Sequence, residues 1–314
     1  MQHYTLTAPA KINLHLEIIG DRADGYHELV MVLQGIGLED RIHLYAGSTQ
    51  AIHLHCEHPD VPLGPENIAY KAAQLMCQAY PQAYAQYGGV DISIEKHIPV
   101  AAGLAGGSTD AAAVLVGINL LWKLGLTQPE LQTLAMRLGS DIPFCLEGGT
   151  ALALGRGEEL SALDDLHAAK VILAKHRNLY VSTAWAYQTY RQQFGETYVQ
   201  QPETVEPGRK KAHSANLVSA IAQQNYPQIG QLLYNDLEKV VFPAYPQVEA
   251  LKTAFQQEEA VLGAMMSGSG PTVFALCPAT TNVETIVTAV QSKLNDSSID
   301  FWATELSSHG IQVK

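Results

Sequence analysis

Positive charge is scarce in this chain: 19 Lys and Arg stand against 31 Asp and Glu, a net charge of −12. No basic face is evident, which argues against nucleic acid as the main partner. Cysteine is scarce as well. Cys56, Cys77, Cys145 and Cys277 form no C-x-x-C pair. Each lies in an apolar run, so reduced core cysteines in a reducing compartment are expected. No run of about 18 uninterrupted apolar residues is present, which argues against a membrane-spanning helix. The first residues show no charged segment ahead of an apolar one, nor the Arg- and Ser-rich character of a transit peptide. The protein is therefore expected in the cytoplasm. What remains is a chain of 314 residues, 47% hydrophobic and 16% charged, long enough for two domains and a substantial core.

What the chain does have is glycine in one telling place. Residues 99–110 read P-V-A-A-G-L-A-G-G-S-T-D. Residues 90–98 alternate apolar and polar, which predicts a half-buried strand. Residues 111–124 are apolar and rich in helix formers, with Gly125 placed to stop a helix. Ser108, Thr109 or Asp110 can cap it. Glycines at 103, 106 and 107 let the backbone approach a ligand, and a helix start attracts an anion. The alternatives are a tight strand-to-helix turn and a cradle for a nucleotide's phosphates. Three glycines and two hydroxyls within a few residues exceed what a turn needs. The loop has neither the lysine of a Walker A motif nor the spacing G-x-G-x-x-G. Cations for phosphate must then come from elsewhere in the chain or from Mg²⁺.

Taken in order, residues 3–7 and 12–19 read as two strands around Pro9. Lys11 and Asn13 have the same parity and share a face, with Leu14, Leu16 and Ile18 opposite. That face is either solvated or a paired polar site. Residues 20–27 (G-D-R-A-D-G-Y-H) form a turn whose exit carries Tyr26 and His27. They are surface decoration, or a ring for stacking and a histidine for bonding to a base. Strands are expected at 29–36, 41–45 and 51–56. His53, His55 and His58 with Glu57 lack a ligand pattern such as H-E-x-x-H, so an exposed strand face is expected. A helix over 65–80 carries Tyr70 and Lys71. Thr127 and Glu130 have capping-box spacing and open a helix to about Leu138, which Gly139 ends. Asp141 is an N-cap, a base or a metal ligand. Residues 148–157 read as a strand ending in a glycine-flanked Arg156.

A turn-rich acidic connection near 160–168 marks a boundary. Residues 171–174 are a buried-type strand. Ser182 and Thr183 can cap a short helix with Trp185, Tyr187 and Tyr190. Residues 192–213 are read as a flexible loop. Helices are expected over 214–223, 226–234 and 245–256, with 235–238 connecting them. Residues 265–276 hold a second glycine-rich stretch, either a β-hairpin or a second backbone cradle. A helix over 281–294 and a strand over 301–306 follow. The order is mixed α and β, and no internal repeat is present.

Seven blocks occur in sequence: A-K-I-N-L at 10–14, G-Y-H-E-L at 25–29, the glycine loop at 103–113, G-S-D-I-P-F at 139–144, G-R-G-E at 155–158, N-D-L-E at 235–238 and S-G-S-G-P-T at 267–272. Together they resemble the superfamily of small-molecule kinases that includes galactokinase, homoserine kinase and mevalonate kinase. Within it they are most similar to the branch whose acceptor is a cytidine diphosphate-linked methylerythritol. The usual loop of that branch reads G-L-G-G-G-S-S-D, so Ala105 replaces a glycine and Thr109 a serine.

The resemblance implies an α+β fold with an N-terminal α/β nucleotide domain (1–163) and a ferredoxin-like C-terminal domain (164–314), the site lying in the cleft between them. It implies ATP with Mg²⁺, no dedicated metal ligands beyond Ser108 or Thr109, small-molecule partners only, and a monomer or weak homodimer. Asp141 would accept the acceptor hydroxyl's proton, with Lys11 beside it and Asn13 on the same face. The ATP loop would comprise Pro99, Val100, Ala101, Ala102, Gly103, Leu104, Ala105, Gly106, Gly107, Ser108 and Thr109. Asn67 and Lys71 are candidates for the adenosine side. Asp110 is expected to point away from phosphate or to act through the metal. Tyr26 and Tyr187 would sandwich cytosine, His27 would read its edge and Thr183 the ribose region. Gly268 and Gly270 would line the substrate diphosphate or close the cleft. A sister kinase for homoserine or mevalonate and a non-catalytic nucleotide-binding module are the alternatives. Neither accounts for both the Tyr26, His27 and Tyr187 set and the Lys11 and Asp141 pair.

Overall fold

One long antiparallel hairpin is the spine of the computed structural model, which describes residues 3–47, 49–199, 201 and 213–314. Its arms are β1 (His3–Asp21) and β2 (His27–Ala46), paired from His3 opposite Tyr45 to Asp21 opposite His27. The two strands expected around Pro9 are therefore one. The register shifts between Pro9 and Lys11, so the residue without an N–H sits at an irregularity instead of ending the strand. The expected strands at 29–36 and 41–45 are likewise parts of β2. Lys11, Ile12, Asn13 and Leu14 are all buried, so both faces of this stretch are covered. The solvated alternative for the Lys11 face is thereby corrected.

The first half continues with β3 (Ile52–Cys56), α1 (Ile68–Ala79), α2 (Pro81–Tyr87), β4 (Val90–Glu95), α3 (Gly106–Leu121), α4 (Gln128–Met136), α5 (Ile142–Glu147), β5 (Thr150–Gly155) and β6 (Glu159–Ala162). β4 pairs with the far half of β2, and β5 with its near half. Helix starts follow local chemistry. The Asn67 side chain accepts the Ala69 N–H ahead of α1. Thr127 and Glu130 form the expected capping box on α4. On α3 the expectation fails: the N-cap is Ala105, in a left-handed conformation, with no side-chain cap. Ser108, Thr109 and Asp110 lie inside the first turns.

The second half contains β7 (Ala169–His176), α6 (Thr183–Phe194), α7 (Ala215–Ala222), α8 (Tyr226–Gln231), β8 (Tyr234–Asn235), α9 (Glu238–Ala244), α10 (Pro246–Gln256), β9 (Gly263–Met266), β10 (Val273–Pro278), α11 (Val283–Leu294), β11 (Ile299–Ser307) and β12 (Gln312–Val313). Its strands pair antiparallel in the order β9–β10–β7–β11. α9 was not anticipated, because Pro243 lies inside it and reads as a breaker. Helix α6 reaches Phe194, further than the short helix expected. Residues 200 and 202–212 of the anticipated loop lie outside the described residues.

The two halves interlock. β11 leaves β7 and pairs with Ile36 and Gly35 of β2. β12 returns to flank β1. One apolar cluster fills the space between β2, β4 and α1, α3 and α4. A second packs the C-terminal strands on α10 and α11 and also takes in Leu16, Leu29 and Met31 of the spine. A third joins Ile12, Val30 and Val32 to Leu217, Ile229 and Phe274. At about 1.5–3 kcal/mol for each fully buried Leu, Ile or Phe, these shared clusters hold the halves together. Among the described residues no helix is long and apolar enough to cross a membrane, and no His, Cys, Asp and Glu group could hold a metal ion. His53 and His55 lie on an exposed strand face, where His53 bonds Asp91. All four cysteines are free.

Candidate active site

β1 places Lys11 at the floor of a cleft of about 1040 Å³. The Lys11 ammonium donates to Asn13 Oδ1 at 2.8 Å and lies 3.7 Å from Asp141 Oδ2. Lys11 is buried, whereas the Asp141 side chain is 35% exposed toward the cleft. Asp141 does occupy the N-cap position of α5, but its carboxylate caps no N–H. Its charged partner is Lys11 on β1. The capping alternative for Asp141 therefore describes its position and not its bonding.

The backbone N–H of Lys11 donates to Leu104 O at 3.1 Å, which fixes the glycine loop directly over the lysine. Residues 99–108 all line the cleft. Ala101 and Ala105 adopt positive φ of 51° and 58°, bending the chain so that α3 begins facing inward. The N–H groups of Gly106, Gly107 and Ser108 in that first turn lack helical acceptors. Gly103 has φ +75°, and a Cβ there would meet Ser267 O at 2.2 Å. The Ser267 hydroxyl in turn donates to Gly103 O at 2.9 Å. The two glycine-rich stretches thus touch backbone to backbone. The second is a β-hairpin by pairing, β9 against β10, and its turn also faces the cleft. Asn235 pins that turn by donating to Met266 O and Gly268 O, both at 2.8 Å.

Beneath the loop, Lys96 bonds both Asp40 and Asp110, the latter at 2.7 Å. Asp110 is buried and engaged by Lys96, although both residues still contribute to the lining of the cleft. Burial raises its carboxyl to about 8, against the opposing pull of Lys96.

At the other end of the cleft, Tyr26 is 55% exposed, and the Arg156 guanidinium lies 4.8 Å above its ring. His27 is buried, with its ring 5.1 Å from that of Tyr187. Burial, and then Arg191, lower the His27 pKa, while Asp21 raises it. Thr183, at the start of α6, shares a 2.8 Å hydrogen bond with Ser269 of the second glycine turn. The glycine loop, a lysine–carboxylate pair and the Tyr26, His27 and Tyr187 rings thus line one cleft.

Residues 67–149 match the family described as GHMP kinases N terminal domain, and residues 217–296 the family described as GHMP kinases C terminal. The 4-diphosphocytidyl-2-C-methyl-D-erythritol kinase of Trichodesmium erythraeum is 55% identical over 313 residues, spanning 100% of this chain and 99% of that relative. The chain belongs to this family of GHMP kinases. The relative of the same name from Synechocystis is also 55% identical over 313 residues, with the same coverage. A crystal structure of a 4-(cytidine 5'-diphospho)-2C-methyl-D-erythritol kinase matches with a TM-score of 0.72 and 32% identity, over 96% of this chain and 99% of that one. Homoserine kinase from Cytophaga hutchinsonii matches at a TM-score of 0.75 and 18% identity, over 100% of this chain and 98% of that one. It shares the fold.

Not every residue expected in this GHMP kinase reaches the cleft. Lys71 is exposed on α1 and does not line it. Thr109 is fully buried beside Cys145, one residue further round α3 than Ser108, which does line the cleft. Gly270 does not line it either. A Cβ there would meet Met266 Sδ at 2.5 Å, so this glycine serves the turn. Asn67 lines the cleft, but its amide is occupied with Pro62 O and Ala69 N–H. Arg156, Arg191, Lys96 and Ser269 line the cleft without having been anticipated. The i, i+4 spacing of Tyr187 and Arg191 was a usable signal, since it places both on one helix face.

Proposed function

We infer that this chain transfers the γ-phosphoryl group of ATP to the 2-hydroxyl of 4-diphosphocytidyl-2-C-methyl-D-erythritol, in the non-mevalonate route to isoprenoid precursors. The observation that carries the reading is the 3.7 Å Lys11–Asp141 pair, set between the glycine loop and the aromatic slot. In the proposed assignment the acceptor oxygen attacks the γ-phosphorus and the bond to the bridging β-phosphate oxygen breaks. ADP leaves, and the hydroxyl proton passes to Asp141. Lys11, oriented by Asn13, stabilises the charge that develops on the transferred group. The N–H groups of 103–108 hold the nucleotide phosphates, and Asn67 shapes the adenosine side. Tyr26 and Tyr187 stack the cytosine, and His27 reads its edge. Thr183, Gly268 and Ser269 lie along the substrate diphosphate.

Mg²⁺ fits this cleft as an ion carried by the nucleotide. Ser108 lines the cleft at the start of α3, while Thr109 is buried and Asp110 is engaged by Lys96. Ser108 is thus the proposed hydroxyl ligand, and Mg²⁺ would neutralise charge on the phosphates. Residues 1–163 and 164–314 are proposed to act as nucleotide and substrate halves. A cytoplasmic monomer or weak homodimer completes the reading.

The test is ADP release with Mg-ATP, offering 4-diphosphocytidyl-2-C-methyl-D-erythritol, mevalonate and homoserine in parallel. Turnover is expected with the cytidyl acceptor alone. Asp141→Asn is expected to lower kcat by about 10²–10⁴-fold with little change in KM. Turnover with another acceptor would overturn the base-slot assignment. ATP binding without turnover on any acceptor would favour a non-catalytic module.

A further inference from the structure

We propose that the Arg191–Asp21 ion pair is a positioning clamp for the acceptor's base, fixing the gap between α6 and the turn that carries Tyr26 and His27. The proposal rests on the cytidyl reading of the cleft. Arg191 Nε donates to Asp21 Oδ1 at 2.7 Å, and a terminal nitrogen reaches Gly25 O at 3.3 Å. One guanidinium therefore grips the end of β1 and the turn after it. Arg191 lies four residues after Tyr187, so both project from one face of α6. Tyr187 packs on the ring of His27. The clamp thus sets how closely the stacking ring approaches the base-reading histidine.

The same pair flanks that histidine and, after burial, bears on its charge. His27 Nε2 is buried without a hydrogen-bond partner, and Asp21 Oδ1 lies 3.4 Å from it. A proton on Nε2 faces Asp21, which leaves Nδ1 as the acceptor. An acceptor there suits the amino group of cytosine and rejects the carbonyl of uracil. The groups around His27 are Asp21 on β1, Arg191 and Tyr187 on α6, and Tyr198 edge-on beyond α6. Its neighbour Glu28 is engaged by Arg22. Arg191 opposes protonation of His27 and Asp21 favours it. The two halves of one ion pair therefore pull the histidine in opposite directions.

Arg191→Ala, Arg191→Lys and Asp21→Asn would be compared with the parent chain by steady-state kinetics and by calorimetric titration with CDP. Arg191→Ala is expected to raise the KM for the cytidyl acceptor and the Kd for CDP by about tenfold. The KM for ATP and kcat should stay within about twofold. Arg191→Lys, with charge but no fork, should fall between. The acid limb of kcat/KM for the cytidyl acceptor should move to higher pH in Arg191→Ala and to lower pH in Asp21→Asn. Equal losses for ATP and acceptor, or limbs moving the same way, would reduce the pair to a structural contact. If Arg191→Ala melts at the assay temperature, Arg191→Gln, uncharged but of similar reach, carries the same opposed comparison with Asp21→Asn. A parent chain that binds no CDP would instead overturn the cytidyl reading.

Discussion

Lys96 is the shared cation of two buried carboxylates, Asp40 and Asp110, under the glycine loop. Asp40 also accepts the N–H groups of His97 and Ile98, so the less supported member is Asp110, whose Oδ1 has no partner. Its carboxyl titrates near 8 in the folded chain and would titrate near 3.9 or so when unfolded. The folded state therefore holds this proton more tightly. The stabilisation is full below about pH 4 and is lost as pH rises toward 8. Asp110→Asn is expected to flatten the fall in urea midpoint between pH 5 and 8 relative to the parent. Identical slopes would show that Lys96 keeps Asp110 ionised throughout that window. The sequence alone marked Asp110 as misplaced beside phosphate. It did not show Lys96 as the partner, because residues 40, 96 and 110 meet only through the pairing of β2 with β4 and the seating of α3.

Among the elements, the hairpin turn at 267–272 depends on a residue distant in sequence. Asn235 spends both amide hydrogens on it and its oxygen on the Leu237 N–H. Asn235→Ala leaves buried carbonyls unsatisfied and is expected to cost about 2–4 kcal/mol in denaturant unfolding. Gly103→Ala meets two obstacles: a left-handed φ and Ser267 O at 2.2 Å. It should raise the KM for ATP by roughly tenfold or more and lower Tm, since the turn must retreat for a Cβ to fit. Most elements were legible in the sequence because their signals are local: alternation in β4, the Thr127 capping box, the glycines that end α3's approach. The single strand through Pro9, the helix through Pro243 and the uncapped start of α3 were not. In each, tertiary pairing or packing overrides a residue whose local preference points the other way. The site was legible in the same measure. Lys11, Asp141 and the loop could be named from sequence and the structure brings them to one cleft, whereas Arg156 and Arg191 join it only because α6 and the β5 end face the turn at 20–27.

On the scale of the whole molecule, no line between the halves leaves two separate cores, because the second and third apolar clusters draw on both. Removing residues 308–314 should therefore destabilise the first half as well. It uncovers β1 at Leu6 and Thr7 and loses the Lys314 N–H bond to Thr5 O. The expected loss is about 0.5–1.5 kcal/mol per hydrogen bond, and the measurement is a urea midpoint with the m-value unchanged. The pairing of residue 6 with residue 313 also has a meaning in time. During translation β1 emerges long before the strand that flanks it, because both halves of the fold lie between the two in sequence. Until then the nascent chain carries an open β edge beside Leu6, a surface on which a trigger factor or a neighbouring polysome product can settle.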